Sequence, residues 1–294
     1  MVYEIELADW KELLTSAHRF AGYAFRGQAG FAWDLSTVIE RLGNHFWETE
    51  CSLANREFWI LTQFRRRAQN LIDKPPEYSD VIGWLSLIQH YGGPTRLMDF
   101  TTSLFVGLFF ACEGLGEDAA LWMIDRYRLL QKYAPPSETD TIYHQQSRIL
   151  EKAKGYIAKE TSDCGILPIE PERLDSRMSV QKGLSIMPIN IDQTFMTNMM
   201  NEFDWPEIEF KRVDLGTLFR ALNTEDHPLV AKFRIRAEWS SRILRFLDEA
   251  NVNANTLFPG LDGFARSLRI HLLYSPPDTS LYRTENPSSS SPPG

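Results

Sequence analysis

The stretch from Gln89 to Ser103 constrains this chain more than any other feature. It holds a histidine, a tyrosine, an arginine, an aspartate and four serine or threonine hydroxyls, and Gly92-Gly93-Pro94 forces a tight backbone inside it. Apolar elements flank it on both sides. Residues 80–91 repeat Val81, Leu85 and Ile88 at helical spacing, with Ser79 as the expected N-cap. Leu104 to Glu113 is apolar all round and predicts a buried helix. Polar groups packed between buried elements need partners or a ligand. Two readings follow: an internal network, for instance Arg26 or Arg96 with Asp99, that fixes the fold, or a binding site.

The rest of the chain reads as one α+β domain. Residues 53–72 carry Ile60, Phe64, Ala68, Leu71 and Ile72 on one helical face, with Arg65, Arg66 and Arg67 largely on the other. Thr95 to Thr101 leans to strand. Ala119 to Asp125 is a nearly continuous apolar run after a glycine turn, the pattern of a strand buried on both faces. Leu229, Ala231, Phe233 and Ile235 alternate with Lys232, Arg234 and Arg236, which predicts a half-buried strand with its cations outward. Trp239, Ile243, Phe246, Leu247 and Ala250 predict an amphipathic helix. Phe264, Leu268, His271 and Leu272 predict another, with His271 on its apolar face as a core histidine. Ala134-Pro135-Pro136-Ser137 interrupts the pattern near 131–147. The predicted organisation is a mixed domain over 1–283, a central sheet flanked by helices, and a disordered Ser/Pro tail over 284–294.

Several function classes are excluded or disfavoured. With 31 basic against 39 acidic residues and a net charge of −8, the chain lacks the balance of a protein that coats nucleic acid. The basic faces at 65–67 and 148–154 read as solvated helix surface before they read as an RNA or phosphate contact. Cys51, Cys112 and Cys164 form no C-x-x-C, and the six histidines form no paired zinc motif, so no structural metal and no disulfide framework are expected. No signal-like or membrane-length apolar run occurs, and a cytoplasmic, non-membrane protein is expected. There is no P-loop and no nucleophile elbow. Gly114-Leu115-Gly116 follows a helix and precedes a strand, the reverse of the dinucleotide-binding context, and reads as a turn.

Phe25-Arg26-Gly27, Gln89 through Thr101, the helix ending Phe109-Phe110-Ala111, Arg177-Met-Ser-Val-Gln181-Lys-Gly183 and Leu257 through Gly263 together resemble the FRG domain family over about residues 20–270. Mild departures stand at Gly93, Phe100, Leu104 and Ser185. The family has no widely settled activity. The order of its motifs is similar to that of ADP-ribosyltransferases. That likeness implies an ADP-ribosyltransferase-like core with Arg26 anchoring ribose or phosphate and Thr101, Thr102 and Ser103 leading into the buried helix. Gln181 would stand where those enzymes carry a glutamate. NAD cleavage develops an oxocarbenium ion, which a carboxylate steadies. An amide cannot supply that charge, so Glu170, Glu172, Asp175 or Asp99 would have to substitute.

The resulting expectation names Arg26, Asp99 and Gln181 as catalytic and His90, Tyr91, Arg96, Thr101, Thr102 and Ser103 as ligand-binding. NAD would be the substrate, with an RNA or protein acceptor, in a transferase or glycohydrolase of toxin or defence type. Two alternatives stand beside it: a non-catalytic module for a nucleotide or nucleic-acid end, and a protein-interaction scaffold. Arg26, His90, Tyr91, Arg96, Asp99 and Gln181 are expected to converge on one concavity, and Asp99 to pair with Arg26 or another arginine.

Overall fold

A computed structural model describes residues 1–43, 51–114, 116–137, 141–159, 161–170, 176–222, 224 and 229–273. Its strands are β1 (Val2–Glu6), β2 (Tyr23–Gln28), β3 (Met98–Thr101), β4 (Ala119–Asp125), β5 (Ile166–Ile169), β6 (Gly183–Pro188), β7 (Phe210–Asp214) and β8 (Val230–Ile235). All eight join one sheet in the order β5-β6-β3-β2-β4-β8-β1-β7. The pairs from β5 to β8 are antiparallel, whereas β1 runs parallel to both β8 and β7. The chain therefore closes its own sheet with both ends, which is why it forms one α+β unit.

Helices cover both faces. The alternation along β4 shows the partition: Leu121 and Met123 enter one core, while Ala120, Trp122 and Ile124 enter another. The Leu104–Cys112 and Ala237–Glu249 helices cover the first face. Phe195 and Met199 of the Phe195–Glu202 helix pack on the second. A third core joins the Leu53–Ala68, Val81–His90 and Ile142–Ala158 helices to Leu167 and Met187 of β5 and β6.

The Leu104–Cys112 helix is buried on almost every side, as its composition predicts. Its approach to β2 depends on glycine. A Cβ on Gly27 would lie 2.1 Å from the Gly107 carbonyl oxygen and 2.3 Å from the Ala111 nitrogen. The third residue of the Phe25-Arg26-Gly27 triplet thus brings backbone against backbone. Phe25, on the same strand face, is buried in the first core, and Arg26 points to the other face.

Four sequence expectations are corrected. The N-cap of the Val81–His90 helix is Asp80, not Ser79, because its carboxylate accepts from the Gly83 amide at 2.9 Å. Arg65 is buried rather than solvated: it lies on the stripe of Leu61 and Ala68, with its guanidinium over the rings of Tyr78 and Trp84. Lys232 is also buried, because β8 lies inside the sheet with both faces covered, and its ammonium sits over the rings of Phe31, Trp122 and Phe210. The segment from Leu261 to Leu272 exposes Phe264, Leu268, Leu272 and His271. It packs through Gly263 instead, where a Cβ would meet the Phe258 carbonyl at 1.7 Å. The Ser/Pro tail lies outside the described residues. Among the described residues no helix is long and apolar enough to cross a membrane.

Candidate functional site

β2 and β3 pair at a single position, Phe25 with Thr101. In an unbroken antiparallel ladder Gly27 would stand opposite Asp99. Here the strands part, and the Arg26 guanidinium crosses the split, Nη1 donating to the Asp99 main-chain oxygen at 2.7 Å. A cavity of about 160 Å³ occupies this split. Phe25, Arg26 and Gly27 line it from β2, and Asp99, Phe100 and Thr101 from β3, with Phe110, Arg177 and Gln181 completing it. A second recess adjoins it. The two share Asp99, Phe100, Arg177 and Gln181, and the recess adds Ser86, Gln89 and His90 from the Val81–His90 helix.

Arg26, His90, Asp99, Gln181 and Thr101 therefore converge, although Arg26 and Gln181 are far apart in sequence. The other candidates do not join them. Arg96 is buried on the far side of its segment, where Nε donates to Glu57 at 2.6 Å and the main-chain amide donates to the same carboxylate at 2.8 Å. Both side chains are only 3% exposed, so this pair is part of the core. Tyr91 is 68% exposed and turns away toward an apolar groove, its ring meeting His90 edge-on. The Ser103 hydroxyl caps the Leu104–Cys112 helix, accepting from Val106 at 3.4 Å. Thr102 is exposed, and its amide donates to Lys182 at 3.0 Å. The Thr101 hydroxyl donates to the Gln181 carbonyl at 2.7 Å, so it ties the cavity wall together.

Asp99 is exposed on β3 and lines the cavity, where its charge acts on Arg26. Its carboxylate accepts from the Gln89 amide, and the Gln89 oxygen accepts from the Thr95 hydroxyl at 2.7 Å. That chain fixes one carboxylate at the mouth of the split. Gln181 spends its amide on the Leu257 carbonyl at 2.9 Å. Glu170 is bound to Arg126 and Gln146 and does not line the cavity. Glu172 and Asp175 lie outside the described residues. Asp99 is thus the carboxylate that the described cavity walls present.

Two polar atoms here are buried without a hydrogen-bond partner: Arg26 Nε and Ser86 Oγ. Burial disfavours the Arg26 charge and draws its pKa down, Asp99 raises it, and Arg41 lowers it further. An anion in the split would relieve both the burial and the missing partner. A second cation stands across the cavity. Arg177 stacks on Phe258 with its guanidinium carbon 4.5 Å from the ring centre, and Arg266 stacks on the same ring at 4.2 Å. Sequence reading passed over Arg177 and Ser86. The signal for Arg177 was present in its position four residues before Gln181, one helical turn, but its ring partner comes from a segment eighty residues on.

The fold and site together define a mixed-sheet α+β protein with a split central sheet and a cationic cavity in the split. More particularly, residues 21–119 match the family model of the FRG domain, and the chain carries an FRG domain there. That span holds Arg26, His90 and Asp99 and stops short of Arg177 and Gln181. No curated protein and no solved structure matches the chain.

Proposed function

We propose that the chain binds a nucleotide, and that the cavity in the split takes its phosphate and ribose portion. The observation that carries this reading is the half-buried Arg26, whose Nε is buried without a hydrogen-bond partner and whose guanidinium faces a cavity that Arg177 also lines. Guanidinium donors form forked bonds to phosphate oxygens, and a stacked arginine is already held in place for one. The volume supports a portion rather than a whole dinucleotide. Complete drug-sized ligands occupy roughly 300–1,000 Å³, more than the 160 Å³ found here. The base and any second nucleoside would lie outside, toward His90.

One observation favours a second, catalytic reading with NAD as substrate. Asp99, held by Gln89, presents a carboxylate beside Arg26. In that reading Asp99, rather than Gln181, steadies the cationic ribose, and the acceptor is RNA, protein or water.

Calorimetric titration with NAD, ADP-ribose, AMP and inorganic phosphate tests the first reading. The expected result is saturable binding of at least one nucleotide, with phosphate as a weaker competitor and Arg26→Lys weakening binding tenfold or more. Absence of binding by all four would end it. For the second reading, NAD consumption should vanish in Asp99→Asn while binding persists. Unaltered turnover in that variant would remove Asp99 from the chemistry.

A further inference from the structure

A larger cavity lies elsewhere, and its lining shares no residue with the split. It is an apolar groove of about 500 Å³. One wall is a single face of the Leu53–Ala68 helix and the turn after it: Trp59, Ile60, Phe64, Ala68, Leu71 and Ile72. Ile88, Tyr91, Gly93 and Pro94 form the opposite wall. Between Trp59 and Ala68 the wall runs along the helix for ~14 Å at about 1.5 Å per residue, so the groove is elongated. Trp59, Leu71 and Tyr91 are 64%, 83% and 68% exposed. Large apolar groups clustered at such exposure mark interaction sites in soluble proteins, whereas scattered ones do not.

The charge of the rim selects the occupant. Arg67 is the only charged residue lining the groove among the described residues, and Arg66 precedes it on the same helix. Both are exposed, and neither has an ion-pair partner among the described residues. A two-fold dimer through this groove would bring two basic rims into one interface, whereas an acidic flank on a separate partner would neutralise the rim. The residue types match those of binding hot spots, where tryptophan, tyrosine and arginine predominate.

We infer that this groove docks an amphipathic helix from a partner protein, with apolar residues at i, i+4 and i+7 entering it and an acidic residue meeting Arg67. Helix-in-groove recognition reads that spacing. The occupant lies along the Leu53–Ala68 helix with its acidic flank toward the C-terminal end, where Arg66 and Arg67 stand. This inference is independent of the nucleotide reading, because the two linings are separate.

Selection from a display library of short helical peptides tests it, with wild-type protein as bait and the Trp59→Ala variant as counter-selection. Both side chains to be altered are exposed, so the variants should retain the wild-type melting curve. Recovered peptides should carry the apolar spacing and an acidic flank. Their affinity, read by fluorescence anisotropy, should fall about tenfold or more in Trp59→Ala. Arg67→Glu should invert the charge preference, so that lysine-flanked versions of the same peptides bind better than the originals. Failure to recover any peptide that distinguishes wild type from Trp59→Ala would overturn the proposal. So would peptides indifferent to Arg67→Glu. A dimer seen by light scattering that dissociates in Trp59→Ala would assign the groove to a second copy and overturn it as well.

Discussion

The Arg26 split and the Arg96–Glu57 pair both hold a guanidinium from the sequence-derived polar candidates, one half-buried and one buried, yet their chemistry is opposite. Arg96 and Glu57 are closed: each is 3% exposed, and the carboxylate accepts both from the Arg96 side chain and from its main-chain amide. Arg26 is open: one bond goes to a main-chain oxygen, Nε has no partner, and the charge faces a cavity. A buried pair that satisfies itself serves the fold. A half-buried cation left partly unsatisfied is tolerated where a ligand completes it.

The largest expected effect tests the closed side. Arg96→Ala or Glu57→Ala should cost about 3–5 kcal/mol, because the remaining charge stays buried and uncompensated. The joint Glu57→Leu, Arg96→Met variant should recover most of that loss. Urea unfolding midpoints check both. If either single variant costs under ~1 kcal/mol, the contrast with Arg26 collapses, since the Arg96 pair would then contribute no more than a surface pair.

A smaller effect sharpens the open side. Arg26→Lys should shift stability by no more than ~1 kcal/mol, the order of one hydrogen bond, while nucleotide affinity falls. Phe258→Leu should leave Arg177 charged but no longer stacked, and lower nucleotide affinity by roughly two- to fivefold, as a cation–π contact of ~0.5–1 kcal/mol implies. Equal losses of stability and affinity in Phe258→Leu would mean that the ring serves only packing.

The smallest effect concerns a third cation, this one buried. Lys232 sits among three aromatic rings and donates to the Trp33 carbonyl at 3.3 Å. Burial lowers its pKa below the usual lysine value, opposed by Asp34 and Glu4. Between the lowered value and the ordinary one the unfolded chain holds a proton that the native chain has lost. Stability from this group therefore rises with pH across that window, and its burial penalty is fully present below it. Buried Tyr23 and half-buried Tyr133, whose phenols are pushed up, act in the other direction at high pH. The comparison is thus the difference between wild type and Lys232→Met, which should lose the upward slope. Superimposable pH profiles would show that Lys232 keeps its charge throughout.

Much of the fold was legible because it rests on local periodicity. Ala119–Asp125 as a buried strand, Leu104–Cys112 as a buried helix and Val230–Ile235 as a strand all follow from spacing of apolar residues. The errors arose where burial depends on neighbours that local pattern does not name. Lys232 and Arg65 have the spacing of exposed cations and are buried by rings from distant segments. Phe264 and Leu268 have the spacing of a core face and are exposed, because Gly263 makes the closest contact of that helix.

The site divides in the same way. The sequence by itself determined which short segments carry unusual polar chemistry, and that Gly27 and Gly92-Gly93-Pro94 demand special backbone, since residue type alone limits what a main chain and a side chain can do. It placed Arg26, His90, Asp99 and Gln181 on a candidate list without ranking them against Arg96 or Ser103. Only the tertiary structure separated the arginines, by seating Glu57 against one and a split between β2 and β3 against the other. Only it brought Phe258 beneath Arg177. Whether a charge is closed or open depends on which distant group lies within hydrogen-bond reach, and that distance is set by packing of the whole sheet rather than by any local run of residues.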